Sequence, residues 1–416
     1  MDKNRYIGRK EFFGSLLFDR LSNEYIPFDN EQTSFFINGK FRDPLNMYEM
    51  KKFAGFENLC KELNVVDENG KFIHKWIDNQ TIEHILSAPL KLSLNITSGC
   101  NLACKHCYSC SKNGNHKEMN IEKVKMLMDR MAELGLQSLS IKGGEPFHHS
   151  SFMDVLHYAK EKSISVTIIT NGLLIDEHIA GELNNTSVHY ITVSIDGGQE
   201  KTHDYIRGKG TFQEVLKKLE LLKKYFHHPL FVYFTLNKLN IKEIPQVFSI
   251  AQDVKCDGLR FRPVLPIGRS SLHEEINLTG EEYRKAMKEV KDCSRISDIK
   301  IDIPDSELNK DDIINRELYN FGCVAGNTFA HMDPYGNLYP CQYLENPEFL
   351  AGNIFTSSFK DIWDNSPIFN TFRNLPGNST CGNCKFFSSC RGGCRARAIF
   401  LSKDINMADP WCMINT

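Results

Sequence analysis

From Leu90 onward, apolar and polar positions settle into a repeating rhythm. Short runs rich in β-branched residues ("LKLSLNIT", "SLSIKGGEP", "SVTIITNG", "VHYITVSIDGG", "LFVYFTLN" and "DGLRFRPV") predict strands. Each is followed by a segment with helical spacing. These are Ile121 to Leu134, "FMDVLHYAKEK", a short piece near "DEHIAGEL", "TFQEVLKKLELLKKY", "IKEIPQVFSIAQDV" and "GEEYRKAMKEVKDC". Such strand-then-helix units in succession predict parallel strands joined by right-handed crossovers. Their number, six, fits a partial (β/α)6 TIM-like barrel rather than the closed eightfold form.

The rhythm is different on either side of this stretch. Before it, "EFFGSLLFDR" and "NEYIPFDNEQTSFFING" alternate as a β-hairpin would. "LNMYEMKKFAGFENLCKEL" is helical, and "VVDENGKFI" predicts a second small hairpin or wing. From about Asn315 the strand–helix alternation stops, and the chain becomes loop-rich, with many glycines and prolines and seven cysteines. Metals rather than a large core are expected to hold that part together. The expected architecture is α/β in three parts: a small winged-helix α+β module over 1–80, the partial barrel over 81–314, and a loop-rich domain over 315–416.

Composition then excludes several classes. The chain of 416 residues is 41% hydrophobic and 25% charged with a formal net charge of −2, so no overall basic field points to nucleic acid. No apolar run is long enough to span a bilayer, and the start, "MDKNRYIGRKEFFGS", is too polar for a secretory signal. A cytoplasmic location is expected, without a membrane or nucleic-acid partner. That expectation changes the meaning of the 14 cysteines. A reducing compartment removes the motive for disulfides, and clustering at short spacing there points to metal ligation.

Four cysteines fall within "SGCNLACKHCYSC", Ser98 to Cys110, three of them as C-x-x-x-C-x-x-C. Thiolates are soft ligands, and one loop with three of them can hold one corner of an iron–sulfur cube, leaving one iron open. Zinc is the competitor, but its ribbons usually supply two C-x-x-C pairs. The C-terminal set reads Cys323, Cys341, Cys381, Cys384, Cys390, Cys394 and Cys412. Cys60, Cys256 and Cys293 stand apart and read as small buried apolar residues. The cysteine loop, "KGGEP", "TNG" and "SIDGG" all fall just after strands, on the face where α/β barrels place their chemistry. In isolation "TNG" and "DGG" are ordinary turn sequences.

At these residues the chain resembles the radical S-adenosylmethionine (SAM) superfamily, whose C-x-x-x-C-x-aromatic-C motif matches Cys100, Cys104, His106 and Cys107. The resemblance implies a [4Fe–4S] cluster whose open iron is chelated by SAM, and a 5′-deoxyadenosyl radical that abstracts hydrogen. It implies further SAM contacts. Gly143, Gly144, Glu145 and Pro146 match the loop that meets the methionine amino group. Thr170 and Asn171 stand at a third strand end, Ser194 and Asp196 at a fourth. Arg207 matches a position that pairs with the SAM carboxylate, which a guanidinium suits, and His106 borders the adenine. Cys110 is surplus to the motif.

The C-terminal pattern, including "GNLYPC", resembles the SPASM extension, which implies two auxiliary [4Fe–4S] clusters and so three in all. By that resemblance Cys381, Cys384, Cys390 and Cys412 complete one, while Cys323, Cys341 and Cys394 hold the other. Two cubes need eight thiolates and this segment supplies seven, so the nearer cluster is left with an open iron or a ligand such as His331.

The N-terminal segment resembles the peptide-recognition modules of maturases for ribosomally made peptides, with a structural cap on the barrel as the alternative. Those modules add a leader peptide as a strand to an exposed edge. The partners implied are a precursor peptide with a leader and reduced ferredoxin or flavodoxin as electron donor. The leading reaction is a thioether cross-link from a cysteine sulfur to carbon, with carbon–carbon and carbon–oxygen cross-links open. An anaerobic sulfatase maturase is the rival within the superfamily. That family has an aspartate after the cysteine matching Cys341, where this chain has Gln342, and glutamine cannot act as a general base. A cluster-bearing electron carrier is the rival outside it. No general base stands out in the sequence.

Overall fold

The computed structural model describes residues 5–39, 47–114, 116–303, 323–375, 381–384 and 387–412. Six parallel strands follow in spatial order: β5 (Lys91–Asn95), β6 (Ser138–Lys142), β7 (Ser165–Thr170), β8 (Val188–Ser194), β9 (Leu230–Leu236) and β10 (Gly258–Pro263). A seventh parallel strand, β11 (Lys300–Asp302), extends one edge, and β12 (Phe329–Met332) pairs in parallel with β5 at the other. A ten-stranded sheet results that curls without closing. The crossovers are α3 (Ile121–Leu134), α4 (Phe152–Glu161), α5 (Glu177–Glu182), α6 (Glu200–Arg207), α7 (Thr211–Tyr225) and α8 (Ile244–Asp253), and α9 (Gly280–Arg295) follows β10.

Strand alternation sorts the side chains. Along β9, Val232, Phe234 and Leu236 are fully buried against the helices. The intervening Tyr233 and Thr235 face the concave side and line a cavity. On β10, Leu259 and Phe261 join the core, while Arg260 and Arg262 reach Asp302 of β11 with nitrogen–oxygen distances of 2.5 and 2.8 Å. The concave face is therefore polar where a closed barrel would be packed with aliphatic side chains.

The C-terminal part departs from the expectation that metals alone would organise it. Its hairpin of β12 and β13 (Asn337–Tyr339), with β14 (Gly352–Asn353), continues the barrel sheet. Helices Phe359–Asn365 and Pro367–Arg373 bury Trp363 and Phe369 in the barrel's own core. The Trp363 indole donates to the Leu86 carbonyl at 2.7 Å. Helical spacing of Phe359, Ile362 and Trp363 was present in the sequence but overshadowed by the cysteines.

The N-terminal module is a four-stranded sheet in the order β3-β2-β1-β4, built from β1 (Tyr6–Glu11), β2 (Gly14–Asp19), β3 (Glu24–Asp29) and β4 (Lys75–Ile77). Helices α1 (Asn30–Asn38) and α2 (Met47–Glu62) accompany it. The wing predicted in "VVDENGKFI" is present as an antiparallel bridge between Val66 and Phe72. One reading fails: "DNEQTSFFING" is helix, not strand. Asp29 caps α1 by accepting from the Gln32 amide, and the Gln32 side chain answers the Asp29 amide, a capping box that overrides the local alternation.

A buried latch joins module to barrel. Arg9, 1% exposed, pairs with Glu11 at 2.7 Å and donates to the carbonyls of Ala88, Pro89 and Gly135. Glu11 accepts in turn from the amide and hydroxyl of Ser87. Ala88 and Pro89 lie just before β5 and Gly135 just before β6, so the module sits at the N-terminal ends of the barrel strands. Among the described residues, no helix is long and apolar enough to cross a membrane.

Candidate active site and cluster-binding cysteines

The C-terminal ends of the barrel strands surround a cavity of about 160 Å³. Cys100, Cys104 and Cys107 line it, together with His106, Gly143, Gly144, Thr170, Asn171, Ser194 and Arg207. Ten of the residues singled out from sequence thus meet at one place. Cys110 is exposed and does not line the cavity. Three thiols on one loop, with the fourth turned away, form a donor set suited to a cluster with one open iron. Burial pushes the Cys100 and Cys104 thiols up to about 12 and 11, respectively. Thiolates at these positions therefore require a metal's positive charge beside them.

The glycine turn is knitted to the base of the cysteine loop. The Gly144 amide donates to the Thr97 carbonyl and the Glu145 amide to the Gly99 carbonyl, each at 2.8 Å. A Cβ on Gly144 would lie 1.8 Å from the Gly99 oxygen, and Gly143 adopts φ +142°, so neither position accepts a side chain.

Glu145 and Asp196 stand behind the cavity wall rather than in it. Glu145, 1% exposed, accepts from the Thr170 hydroxyl at 2.5 Å and the Asn171 amide at 2.7 Å. Burial raises its carboxyl to about 7 against those hydrogen bonds. Pro146 is buried and opens the short turn that follows. Asp196 is completely buried and accepts from His106 Nε2 and Arg207 Nε at 2.5 Å each, and from the Thr235 amide at 2.9 Å. Burial opposes its charge, but the Arg207 guanidinium and His106 outweigh burial and hold it far below the usual carboxylate range. One carboxylate thereby aims two cavity-lining side chains. Arg207 is carried by α6, an element the sequence reading passed over as part of the loop after β8.

Other residues at the cavity were not anticipated. Arg269 clamps the cysteine loop, donating through Nε to the Cys104 carbonyl at 2.7 Å and through a second nitrogen to the Ser111 carbonyl at 2.8 Å. Lys142 lies at the end of β6, and burial lowers its ammonium to about 8. Tyr108 and Tyr343 meet edge to face with centroids 5.8 Å apart. They follow Cys107 and Cys341 closely in sequence, so the three-thiol loop and the C-terminal cysteine loop touch across the cavity. The alternation of β6 and β9 signalled the strand residues; nothing local signalled Arg269.

Among the C-terminal cysteines, Cys323 and Cys394 stand near Cys341, and Cys381 and Cys412 stand near Cys390. The Cys341 thiol, pushed up to about 12 chiefly by burial, is raised further by Cys394 and Cys323 nearby. Cys390 is raised by burial and then by Cys412 and Cys381. The Cys384 amide donates to the Cys381 carbonyl, which keeps Cys384 beside the second group. His331 is not positioned to complete the first. It is fully buried, with Nδ1 3.1 Å from the Ser93 hydroxyl and Nε2 3.0 Å from Glu345.

A partial parallel barrel with a three-thiol loop at its mouth, joined to a domain bearing two cysteine groups, defines a class of iron–sulfur enzyme that uses SAM. The comparisons agree. The model of the radical SAM superfamily matches residues 94–250, and that of the iron–sulfur cluster-binding SPASM domain matches residues 323–385. The AdoMet-dependent heme synthase of Methanosarcina barkeri is 29% identical over 347 residues, covering 79% of this chain and 97% of that protein. The mycofactocin maturase MftC of Mycolicibacterium smegmatis is 27% identical over 346 residues, covering 80% and 85%. Streptococcus suis SuiB bound to SAM superposes with a TM-score of 0.73 at 19% identity over 99% of both chains; SuiB bound to its precursor peptide SuiA gives 0.72 over 97% of both. The chain belongs to the radical SAM enzymes that carry a SPASM domain, and its cofactors are SAM and iron–sulfur clusters.

Proposed function

We propose that this enzyme modifies a ribosomally made precursor peptide, forming a thioether from a cysteine sulfur to carbon, with three [4Fe–4S] clusters. The observation that carries the peptide reading is the N-terminal module. Its sheet ends at β3, whose outer edge is unpaired among the described residues, with Ile26 38% exposed. Pro27, which cannot donate to a ladder, is tolerated because the strand is an edge. Such an edge accepts an extended peptide as an added strand. SuiB matches through 99% of the chain and the heme synthase through 79%, and SuiB has been solved bound to its precursor peptide.

When bound and reduced, the SAM-carrying cluster supplies a 5′-deoxyadenosyl radical for hydrogen abstraction. The chain's own residues prepare the site. Cys100, Cys104 and Cys107 hold the cluster. The turn at Gly143 and Gly144 presents backbone to the methionine end of SAM. Asp196 aims Arg207 at the carboxylate and His106 at the adenine. The thioether reading draws on the ligand count, because Cys323, Cys341 and Cys394 leave one coordination position for a substrate thiolate and both nitrogens of His331 are already engaged. Gln342 lines the cavity beside Cys341, where an amide cannot accept a proton, which counts against formylglycine formation. Reduced ferredoxin or flavodoxin is the proposed electron donor.

The test is anaerobic reconstitution, chemical reduction with SAM, and measurement of 5′-deoxyadenosine beside iron content, in wild type and Cys104→Ala. Wild type is expected to release deoxyadenosine and to carry about four more irons per chain than the variant. Full clusters without deoxyadenosine, with and without a cysteine-containing peptide encoded nearby, would overturn radical chemistry. Deoxyadenosine without any peptide-dependent loss of two mass units would overturn the cross-link.

A second variant addresses SAM positioning. Asp196→Asn removes the charge holding Arg207, and SAM affinity is expected to fall on the order of tenfold, since a charge-assisted bidentate contact loses its alignment. Equilibrium binding of SAM to the reconstituted protein reads the change. Unaltered affinity would remove Arg207 from the carboxylate contact.

A further inference from the structure

Outside the cavity, one group of ligand-type side chains converges with no role in the site described. His116, Glu118 and His148 each offer an atom within 4.8 Å of the others. They come from two segments. His116 and Glu118 lie on the stretch that returns antiparallel beside the cysteine loop, bridged at Thr97 and Glu118. His148 lies in the short turn opened by Pro146. We infer that these three residues form a site for a divalent transition metal such as zinc, which staples the closing strand of the cysteine loop to the turn after the glycines.

The orientation of each side chain supports this. His116 Nδ1 lies 2.7 Å from the Gly114 carbonyl. A carbonyl can only accept, so Nδ1 carries the hydrogen and Nε2 is left to face Glu118 Oε1 at 3.2 Å. In neutral imidazole that nitrogen bears a lone pair, and a lone pair facing a carboxylate oxygen needs a cation between them. A zinc tetrahedron with bonds of ~2.0 Å has edges of roughly 3.3 Å, close to the spacing of this pair. The other Glu118 oxygen is fixed by the Ser150 hydroxyl at 2.9 Å and amide at 3.3 Å, as outer-shell partners fix metal-bound carboxylates.

His148 makes the difference between a proton and a metal. A proton on His116 would satisfy the His116–Glu118 pair and leave His148 without a task. The two imidazoles meet edge to face with centroids 4.9 Å apart, and His148 Nδ1 is shut off from solvent with no hydrogen-bond partner among the described residues. Two imidazoles and one carboxylate leave a fourth position for water, a set that suits zinc and its neighbours in the first transition row. The site also lies against the cluster loop: a Cβ on Gly99 would meet the His116 ring at 2.7 Å, one residue before Cys100.

The experiment uses the fully reconstituted enzyme, dialysed anaerobically against micromolar zinc and then against buffer. Metals are counted, and the zinc K-edge absorption spectrum is recorded. Wild type is expected to retain one zinc per chain with a shell of nitrogen and oxygen near 2.0 Å. His116→Ala with His148→Leu is expected to lose that zinc while keeping its iron, and Glu118→Gln to bind it at least tenfold more weakly. Equal zinc in wild type and double variant overturns the site. If the double variant does not hold its iron and so has not folded, the wild-type spectrum decides alone. Sulfur near 2.3 Å places the zinc on cysteines and overturns the assignment, and absence of retained zinc leaves a protonated His116 as the whole explanation.

Discussion

Replacing Gly144 by alanine is expected to strip the enzyme of its SAM-side cluster. The added methyl would sit 1.8 Å from the Gly99 oxygen and 2.4 Å from its carbonyl carbon, distances at which backbone must move. The backbone it would move is the root of the cysteine loop, tied at that point by the amides of Gly144 and Glu145. The three thiols share one loop, so displacing its root spoils their common aim. Iron is expected to fall by about four per chain, deoxyadenosine to become undetectable, and the C-terminal cysteine groups to keep their share. Iron analysis with a deoxyadenosine assay checks this. A variant with full iron and full turnover would show that the loop tolerates a shift the packing says it cannot.

The second large effect is on stability. Arg9→Met removes a guanidinium that is 1% exposed and leaves Glu11 buried beside it. It also takes a donor from the carbonyls of Ala88 and Pro89, and leaves the Gly135 carbonyl the longer contact from the Tyr25 hydroxyl at 3.4 Å. Breaking a buried pair from one side costs about 3–5 kcal/mol, and Glu11, whose carboxyl is already raised by burial against the pull of Arg9, would become harder still to keep charged. Denaturant unfolding of Arg9→Met is expected to lose that amount, and Arg9→Met with Glu11→Gln to lose less, because the second change removes the stranded charge. Equal losses would show that the carbonyl contacts, not the ion pair, hold the latch.

How much of this was legible depended on where each signal was written. The strand rhythm and the cysteine spacing are local, so the open barrel and the three-thiol loop could be read directly. Gly143 and Gly144 were legible through the resemblance of "GGEP" to a family motif, while the touching backbones that require them are visible only in the fold. Asp196 was found for its place after a strand, but its task of aiming both His106 and Arg207 is a property of three segments meeting and is written in none of them. Arg269 was missed for the same reason: its partners, Cys104 and Ser111, lie more than 150 residues away in sequence. The helix beginning at Asn30 was missed although its capping box is plain in "DNEQ", because the aromatic alternation around it carried more weight. The burial of Trp363 was hidden by the expectation that cysteine-rich segments do without a core.

The latch has a geometric consequence. It fixes the module at the N-terminal ends of β5 and β6, while the thiols stand beyond the C-terminal end of β5. β5 has 5 residues, so the two levels are separated by at least ~17 Å at the usual rise of a strand. A peptide anchored on β3 must cover that depth before any of its atoms reaches the cavity, which takes at least about five extended residues. The enzyme would then measure its substrate: the spacing between the anchored stretch and the altered residue would have a floor set by the thickness of the barrel, and shortening the peptide between them below that length would leave it bound but out of reach.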